Sequence, residues 1–413
     1  MDKKWKTRAL GEVSNNFDSI RVPVKESDRR LGHYPYYGAS GIVDRIDAYL
    51  FDGEYLLVAE DGENLRTKQT PVAFLARGQF WVNNHAHIIQ GNTHADTRFL
   101  MYALQQTDIS GYLTGSTMPK LTQGNMNRIP VPVPPLPEQK VIADILGSLD
   151  DKIELNRKTN ETLEAMARAI FKSWFIDFDP VHAKSKGRQP DGMDAETAKL
   201  FPSSFQDTEI GKVPKGWKVG TLRDCCERVE NGGTPSRSVQ EYWEPKEIPW
   251  LTSGEVRQKI VTSIENSISR SGLKNSSAKL WKEKTTVVAL YGATAGQVCF
   301  LGIETSANQA CCGLIPKPAW HHYVYFHTSS SIATLEQQAR GSAQQNLSQQ
   351  IVADLPTLLP DDDTIAGFDA LITILMDRCI SNAIESWSLA TVRDVLLPQL
   401  LSGKITVPVS KVA

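Results

Sequence analysis

The sequence predicts an α+β fold: two similar mixed α/β modules separated by two long helices that form an antiparallel coiled coil, giving a pseudo-twofold molecule. Three observations carry this expectation. Motifs near the start and end of each half recur, the later ones at one offset of 226 residues. Each half ends in a Pro-poor stretch with a heptad-like apolar seam. The remainder alternates short β-branched runs with Gly-bearing loops.

The repeat is explicit. Trp5-Lys6 and Leu10 return as Trp217-Lys218 and Leu222, Gly115-Ser116 and Leu121 as Gly341-Ser342 and Leu347, and Pro130 and Pro134 as Pro356 and Pro360. A period this long is duplication of a whole module, since solenoid repeats run about 20 to 50 residues. In the globular parts, Glu54 to Ala59 and Thr285 to Leu290 read as strands, and Thr97 to Gln106 and His322 to Ser330 as short helices.

After Pro134-Pro135-Leu136-Pro137, a Pro-free segment begins at Glu138 and Gln139 and runs to about Phe178. Its seam is Ile142, Leu146, Leu149, Ile153, Asn156, Asn160, Leu163, Ala167, Ile170 and Trp174. The second copy places Phe368, Ile372, Leu375, Cys379, Asn382, Ser386, Leu389, Arg393, Leu396 and Leu400 in the same phase. Pro398 is expected to kink or end that helix early. The first helix leads away from its module and the second must return, so the pairing is antiparallel, with Asn156 and Asn160 opposite Asn382 and Ser386. Polar pairs there would fix register at some expense in stability. Between Asp179 and Gly216, eight Pro and Gly residues mark a linker or an irregular ordered arm.

Composition limits the function classes. The 413 residues exceed one core and imply two or three domains. Hydrophobic residues at 41% and charged residues at 22% describe a globular chain, without an apolar run long enough for a membrane helix and without a signal peptide, so a cytoplasmic location is expected. The six cysteines (225, 226, 299, 311, 312 and 379) form no C-x-x-C pattern and read as reduced, buried thiols. Net charge is −2, and residues 1–137 hold 15 Lys plus Arg against 14 Asp plus Glu, so the first module is no polycation.

The chemistry-bearing motifs are absent from the sequence: no Walker A loop, no G-x-G-x-x-G opening a helix, no H-E-x-x-H, and no Asn/Asp-Pro-Pro-aromatic run. Gly292-Ala293-Thr294-Ala295-Gly296 reads as a loop between strands. His85, His87 and His94 lack an indicated acidic or cysteine partner and read as ordinary polar histidines, and Asp361-Asp362-Asp363 reads as an acidic helix start. No catalytic, cofactor or metal site is expected in this chain. Two loops at the same place in the two modules suit DNA contact. In one, Ser116, Thr117 and Lys120 offer hydroxyls and charge to phosphates; in the other, Arg340, Ser342, Gln344, Gln345 and Asn346 add amides able to pair with adenine. Tyr36 and Tyr37 form a further candidate contact, with core packing the competing reading.

Taken together these segments resemble the DNA specificity subunit of type I restriction-modification systems. The resemblance spans the chain and rests on Pro134-Pro135-Leu136-Pro137-Glu138-Gln139, on Trp174-Phe175-Ile176-Asp177-Phe178-Asp179-Pro180-Val181, on Gly192-Met193-Asp194, on Leu200-Phe201-Pro202-Ser203-Ser204-Phe205 and on Ile210-Gly211-Lys212-Val213-Pro214-Lys215-Gly216-Trp217. The second copy departs from it, with Pro360-Asp361-Asp362-Asp363-Thr364 in place of Pro-Glu-Gln. The resemblance implies target recognition domains at 1–137 and 217–362, conserved spacer helices at 138–178 and 363–405, and a linker at 179–216. It implies a non-catalytic subunit reading a bipartite, asymmetric site on double-stranded DNA. Two methyltransferase subunits and the restriction subunits would be its partners, and S-adenosylmethionine, ATP and Mg would bind those partners. Trp174, Phe175 and Phe178 are candidates for partner docking or for core packing. The competing classes are a duplicated protein scaffold and a single-chain DNA methyltransferase or nuclease.

Overall fold

A computed structural model describes residues 5–340 and 346–408. One compact unit combines the chain up to Ile153 with the chain from Ser388, and the other runs Glu154–Trp387.

In the first unit the strands are β1 (Lys6–Ala9), β2 (Ser14–Asn16), β3 (Leu31–Gly38), β4 (Gly41–Ile46), β5 (Phe51–Ala59), β6 (Ala73–Val82), β7 (Ala86–Gly91) and β8 (Pro130–Val133). Six form one sheet in the order β2-β7-β5-β6-β3-β4, antiparallel except where β3 runs parallel to β6. β1 and β8 form a separate antiparallel ribbon. The helix Thr97–Gln106 is capped by Asp96, whose carboxylate accepts from the N–H groups of Arg98 and Phe99. It buries Phe99, Leu100 and Leu104 in a core with Leu56, Ile89 and Leu121.

In the second unit β9 (Phe205–Thr208) and β10 (Gly211–Pro214) make a hairpin, and β11 (Lys218–Thr221) precedes β12 (Cys226–Asn231). Then come β13 (Ile248–Leu251), β14 (Ile260–Val261), β15 (Ser267–Ile268), β16 (Leu280–Trp281), β17 (Thr286–Ala289), β18 (Val298–Leu301), β19 (Thr305–Ala307), β20 (Cys311–Pro316) and β21 (Pro356–Leu359). The main sheet has the order β12-β20-β17-β18-β14, with β14 parallel to β18. This is the order β2-β7-β5-β6-β3 of the first unit, strand for strand. The ribbons match as well: Lys6 faces Val133 and Ala9 faces Pro130, while Lys218 faces Leu359 and Thr221 faces Pro356. The sequence repeat is thus a repeat of hydrogen-bond register.

The two long helices are Leu136–Phe175 and Asp362–Leu401, each 40 residues. Pro137 sits in the first turn, where no intrahelical N–H is lost. Gln139, fully buried, stitches this turn to the module: its Nε2 donates to the carbonyls of Pro134 (2.8 Å) and His94 (2.9 Å), and its Oε1 accepts from the Asp96 N–H (2.9 Å). The second copy solves the same problem otherwise. Ile365 is buried there, and Asp361 accepts from the Thr364 N–H at 2.9 Å. Pro398 does not end the second helix, which continues to Leu401, two residues before the left-handed Gly403.

The helices pair antiparallel within each unit. In the first, Ile142 and Leu146 share a core with Leu397, Leu400 and Leu401, and Arg393 meets Asp150 at 2.7 Å, whose other oxygen accepts from Tyr102 at 2.5 Å. In the second, Asn156 Nδ2 donates to Glu385 (2.8 Å), Ser386 (3.3 Å) and the Asn382 carbonyl (3.3 Å). Asn382 Nδ2 donates to Asn160 Oδ1 at 2.8 Å, and Asn160 Nδ2 to the Cys379 carbonyl at 2.9 Å. Phe368, Ile372, Met376 and Cys379 are fully buried, whereas Leu375, Leu389, Leu396, Leu149, Ile153 and Leu163 are half-buried. The buried stripe moves one residue from Leu375 to Met376 and from Leu396 to Leu397 because it also faces the modules' own cores.

The segment after the first helix is an ordered arm. Phe178 takes a left-handed conformation, φ 55°. The short helices Asp179–Ser185 and Ala195–Lys199 and the β9–β10 hairpin follow. Phe171, Trp174 and Phe175 pack with Phe201, Trp217, Tyr323 and Phe368 in one core, and Phe178 rests on Phe205 and Trp217. Among the described residues no helix is long and apolar enough to cross a membrane.

Candidate nucleic-acid interface

In the first unit the end of β5, the start of β7 and the segment after β2 meet at one end of the sheet, and the loop between Thr114 and Lys120 lies on it. Thr114 and Lys120 close the loop with reciprocal backbone hydrogen bonds of 2.8 and 2.7 Å. Gly115 has φ +86°, and a Cβ there would lie 2.2 Å from the Met118 carbonyl oxygen, so the turn needs glycine. Ser116, Thr117 and Met118 are exposed at its tip, while Leu121 is fully buried and anchors it.

A charged network sits beneath this loop. The Leu121 N–H donates to the Glu60 carbonyl at 2.7 Å. His87, 1% exposed, places Nδ1 2.5 Å from Asp18 and Nε2 2.7 Å from the Leu121 carbonyl. Each ring nitrogen thus faces an oxygen, which fixes the orientation of the ring. Arg21 binds Glu60 and the Ala86 carbonyl, each at 2.8 Å, and Lys120 Nζ lies 3.2 Å from Glu60. Burial pushes Asp18 and Glu60 upward, but these partners outweigh it and hold both below the ordinary carboxylate range. Arg66 donates to the carbonyls of Gly115 (3.0 Å) and Ser116 (3.1 Å). The loop backbone is therefore held at several points while the hydroxyls of its tip face solvent.

The second unit repeats the frame. The Leu347 N–H donates to the Leu290 carbonyl at 2.8 Å, and Tyr291 bridges Asn346 as Asp61 bridges Lys120. The side chains beneath differ, with Leu290 where the first unit has Glu60. Arg340 ends the helix Ile332–Arg340, and Ser342, Gln344 and Gln345 fall outside the described residues.

The tyrosine candidates lie elsewhere. Tyr36 is fully buried, its hydroxyl engaged with the backbone N–H (3.0 Å) and carbonyl (3.3 Å) of Val24 and its ring 4.5 Å beneath Arg29. It is a packing residue. Tyr37 is half-buried against Phe80 and Phe74. His85 pairs with Asp61 at 2.9 Å, away from the bonds of His87, and His94 is exposed. Among the described residues no group of three or more His, Cys, Asp or Glu is placed to hold a metal ion. A cleft of about 1120 Å³ between the arm and the long helices, lined by Trp174, His182, Arg188 and Met193, holds none of the candidate DNA contacts. Sequence reasoning missed Asp18, Arg21, Glu60, Arg66 and His87 as supports of the loop. Their separation along the chain left no motif to find.

Comparison with known proteins adds to this geometry. A family model described as the type I restriction modification DNA specificity domain matches residues 2–165 and 214–387, one stretch in each copy of the repeat. The HindI specificity subunit of Haemophilus influenzae, a type I restriction enzyme component, is 29% identical over 332 residues, which span 70% of this chain and 72% of that one. The MjaIX specificity subunit of Methanocaldococcus jannaschii is 25% identical over 429 residues, 98% of this chain and 94% of that one. The crystal structure of a type I restriction-modification S subunit from M. genitalium superimposes with a TM-score of 0.63 over 97% of each chain at 14% identity, a likeness of fold.

Proposed function

The chain belongs to the type I restriction-modification DNA specificity family, and from that premise we propose that each module reads one half of a bipartite, asymmetric site on double-stranded DNA. One observation carries the reading. Lys120-Leu121 and Asn346-Leu347 are anchored by the same backbone pairing at the same end of equivalent sheets, while the sequences that lead into them, 114–120 and 340–346, differ. A common scaffold with unlike tips suits two unlike half-sites. Hydroxyls and Lys or Arg meet phosphates, and Gln and Asn suit adenine edges.

The long helices supply the spacing. At about 1.5 Å per residue each is about 60 Å long, enough to serve half-sites about one helical turn, roughly 34 Å, apart. Two weak readers joined stiffly bind with a high effective concentration when the half-sites match their span. The chain recruits two methyltransferase subunits, which bring S-adenosylmethionine, and restriction subunits, which bring ATP and Mg. Recognition rests here and the chemistry rests in those chains.

Methylome sequencing of a host with and without this chain tests the reading. Methylation appears at one bipartite motif only when the chain is present. Replacing Ser116 and Thr117 by Ala changes one half of that motif and leaves the other intact. Adding one turn to each long helix changes the gap alone. An unchanged gap would refute the spacing role, and a motif indifferent to the chain would refute the whole assignment.

A further inference from the structure

A second loop reaches the same end of the second unit's sheet. β12 ends at Asn231, and Gly232 to Ser238 follow. The Gly232 N–H donates to the Cys311 carbonyl at 3.0 Å and the Gly233 N–H to the Ala307 carbonyl at 2.8 Å. A Cβ on Gly232 would lie 2.4 Å from the carbonyl oxygens of Ala307 and Asn308, and one on Gly233 would lie 2.3 Å from the Ser277 carbonyl carbon. The loop is therefore pressed onto its neighbours.

Two tryptophans fasten it further. Trp250 Nε1 donates to the Gly233 carbonyl at 3.1 Å and Trp243 Nε1 to the Ser236 carbonyl at 3.0 Å, with the rings edge to face at 5.2 Å. Over this pair lies Arg237, its guanidinium carbon 3.9 Å from the Trp243 centroid and 5.4 Å from that of Trp250. Arg237 is exposed, and among the described residues no carboxylate forms an ion pair with it. A guanidinium held by its face keeps its in-plane N–H groups free, a fork that matches phosphate oxygens. Stacking has already removed much of the side chain's freedom, so less is lost on binding. The exposed hydroxyls of Ser236 and Ser238, 2.8 Å apart, flank it.

We propose that Arg237, pinned on Trp243, binds a backbone phosphate of the DNA at the second module. The inference rests on the DNA-reading function above and extends it with a contact that positions the duplex without reading a base. In the first module Arg21 and Arg29, which follow the equivalent strand, are engaged otherwise: Arg21 is committed to Glu60, Asp18 and the Ala86 carbonyl, and Arg29, stacked over Tyr36, pairs with Asp44 at 3.2 Å.

The test uses the full chain assembled with its methyltransferase subunits on a duplex carrying its methylation motif. Arg237→Ala should weaken binding about tenfold, equally on matched and mismatched half-sites, and make the salt dependence shallower by about one ion. Arg237→Lys should restore the salt dependence with only part of the affinity. In phosphate-ethylation interference, one phosphate in one half-site should lose its effect in Arg237→Ala. A methylphosphonate at that phosphate should weaken the wild-type complex and leave the variant unaffected, a readout independent of any folding defect. An interference pattern identical in wild type and Arg237→Ala would overturn this inference alone. A wild-type complex with no protected half-site would overturn the DNA-reading function and this contact with it.

Discussion

The Asn160–Asn382 hydrogen bond offers the sharpest test of how the helices pair. Asn382 is 1% exposed and its amide donates to Asn160 Oδ1 at 2.8 Å, while Asn160 also donates to the Cys379 carbonyl. Asn382→Ala removes one hydrogen bond, worth about 1 kcal/mol net, and strands a partly buried acceptor. A loss of about 1–3 kcal/mol follows. Asn160→Ala strands the Asn382 amide, while the Cys379 carbonyl keeps its intrahelical bond, and the loss falls in the same range. In the double variant neither partner is stranded by the other, so the combined loss is smaller than the sum by about 1 kcal/mol. Urea unfolding of the four proteins, followed by far-ultraviolet circular dichroism, measures this coupling. Strictly additive losses would mean that the two side chains do not meet and that the helix register is wrong.

Three further outcomes follow from packing and charge. Leu146, fully buried beside Leu397 and Leu400, should lose about 2–5 kcal/mol on replacement by Ala, seen as a lower melting temperature. Burial, only partly offset by the Pro356 carbonyl 3.1 Å away, holds His327 down to about 4 against an ordinary 6.5. Between those values the unfolded chain binds a proton that the folded one refuses, so stability falls as pH drops from 6.5 toward 4 and recovers as it rises; His327→Gln should flatten that slope in melting curves. All six cysteines are buried, and burial pushes their thiols up, Cys226 and Cys312 to about 12 and Cys379 to about 11. The folded protein should therefore resist alkylation until denaturant is added, and rapid labelling of native thiols would contradict this burial.

Legibility in the sequence followed the range of the interactions. The helices were visible because a seam with steps of three and four repeats along contiguous residues, and the 226-residue offset doubled the signal. The strand at Glu54 to Ala59 was visible for the same local reason. The loop 114–120 was visible only as a repeated Gly-Ser turn. Its supports at Asp18, Arg21, Glu60 and His87 come from three different strands or their ends, and no local pattern announces them. Tyr36 shows the opposite failure: an aromatic beside glycines looks presentable, yet strand alternation turned its ring inward onto Val24.

The sequence by itself determined the duplication, the two 40-residue helices with their polar centre, and membership of a family of DNA specificity subunits. These depend on periodicity and on short motifs, which neighbouring residues write in full. Tertiary structure alone decided which residue of each seam is buried, which arginine is committed and which is left stacked on tryptophan, and which loops gather at one sheet end. Those outcomes depend on backbone groups far apart in the chain, and only strand order and register bring such groups within hydrogen-bonding distance.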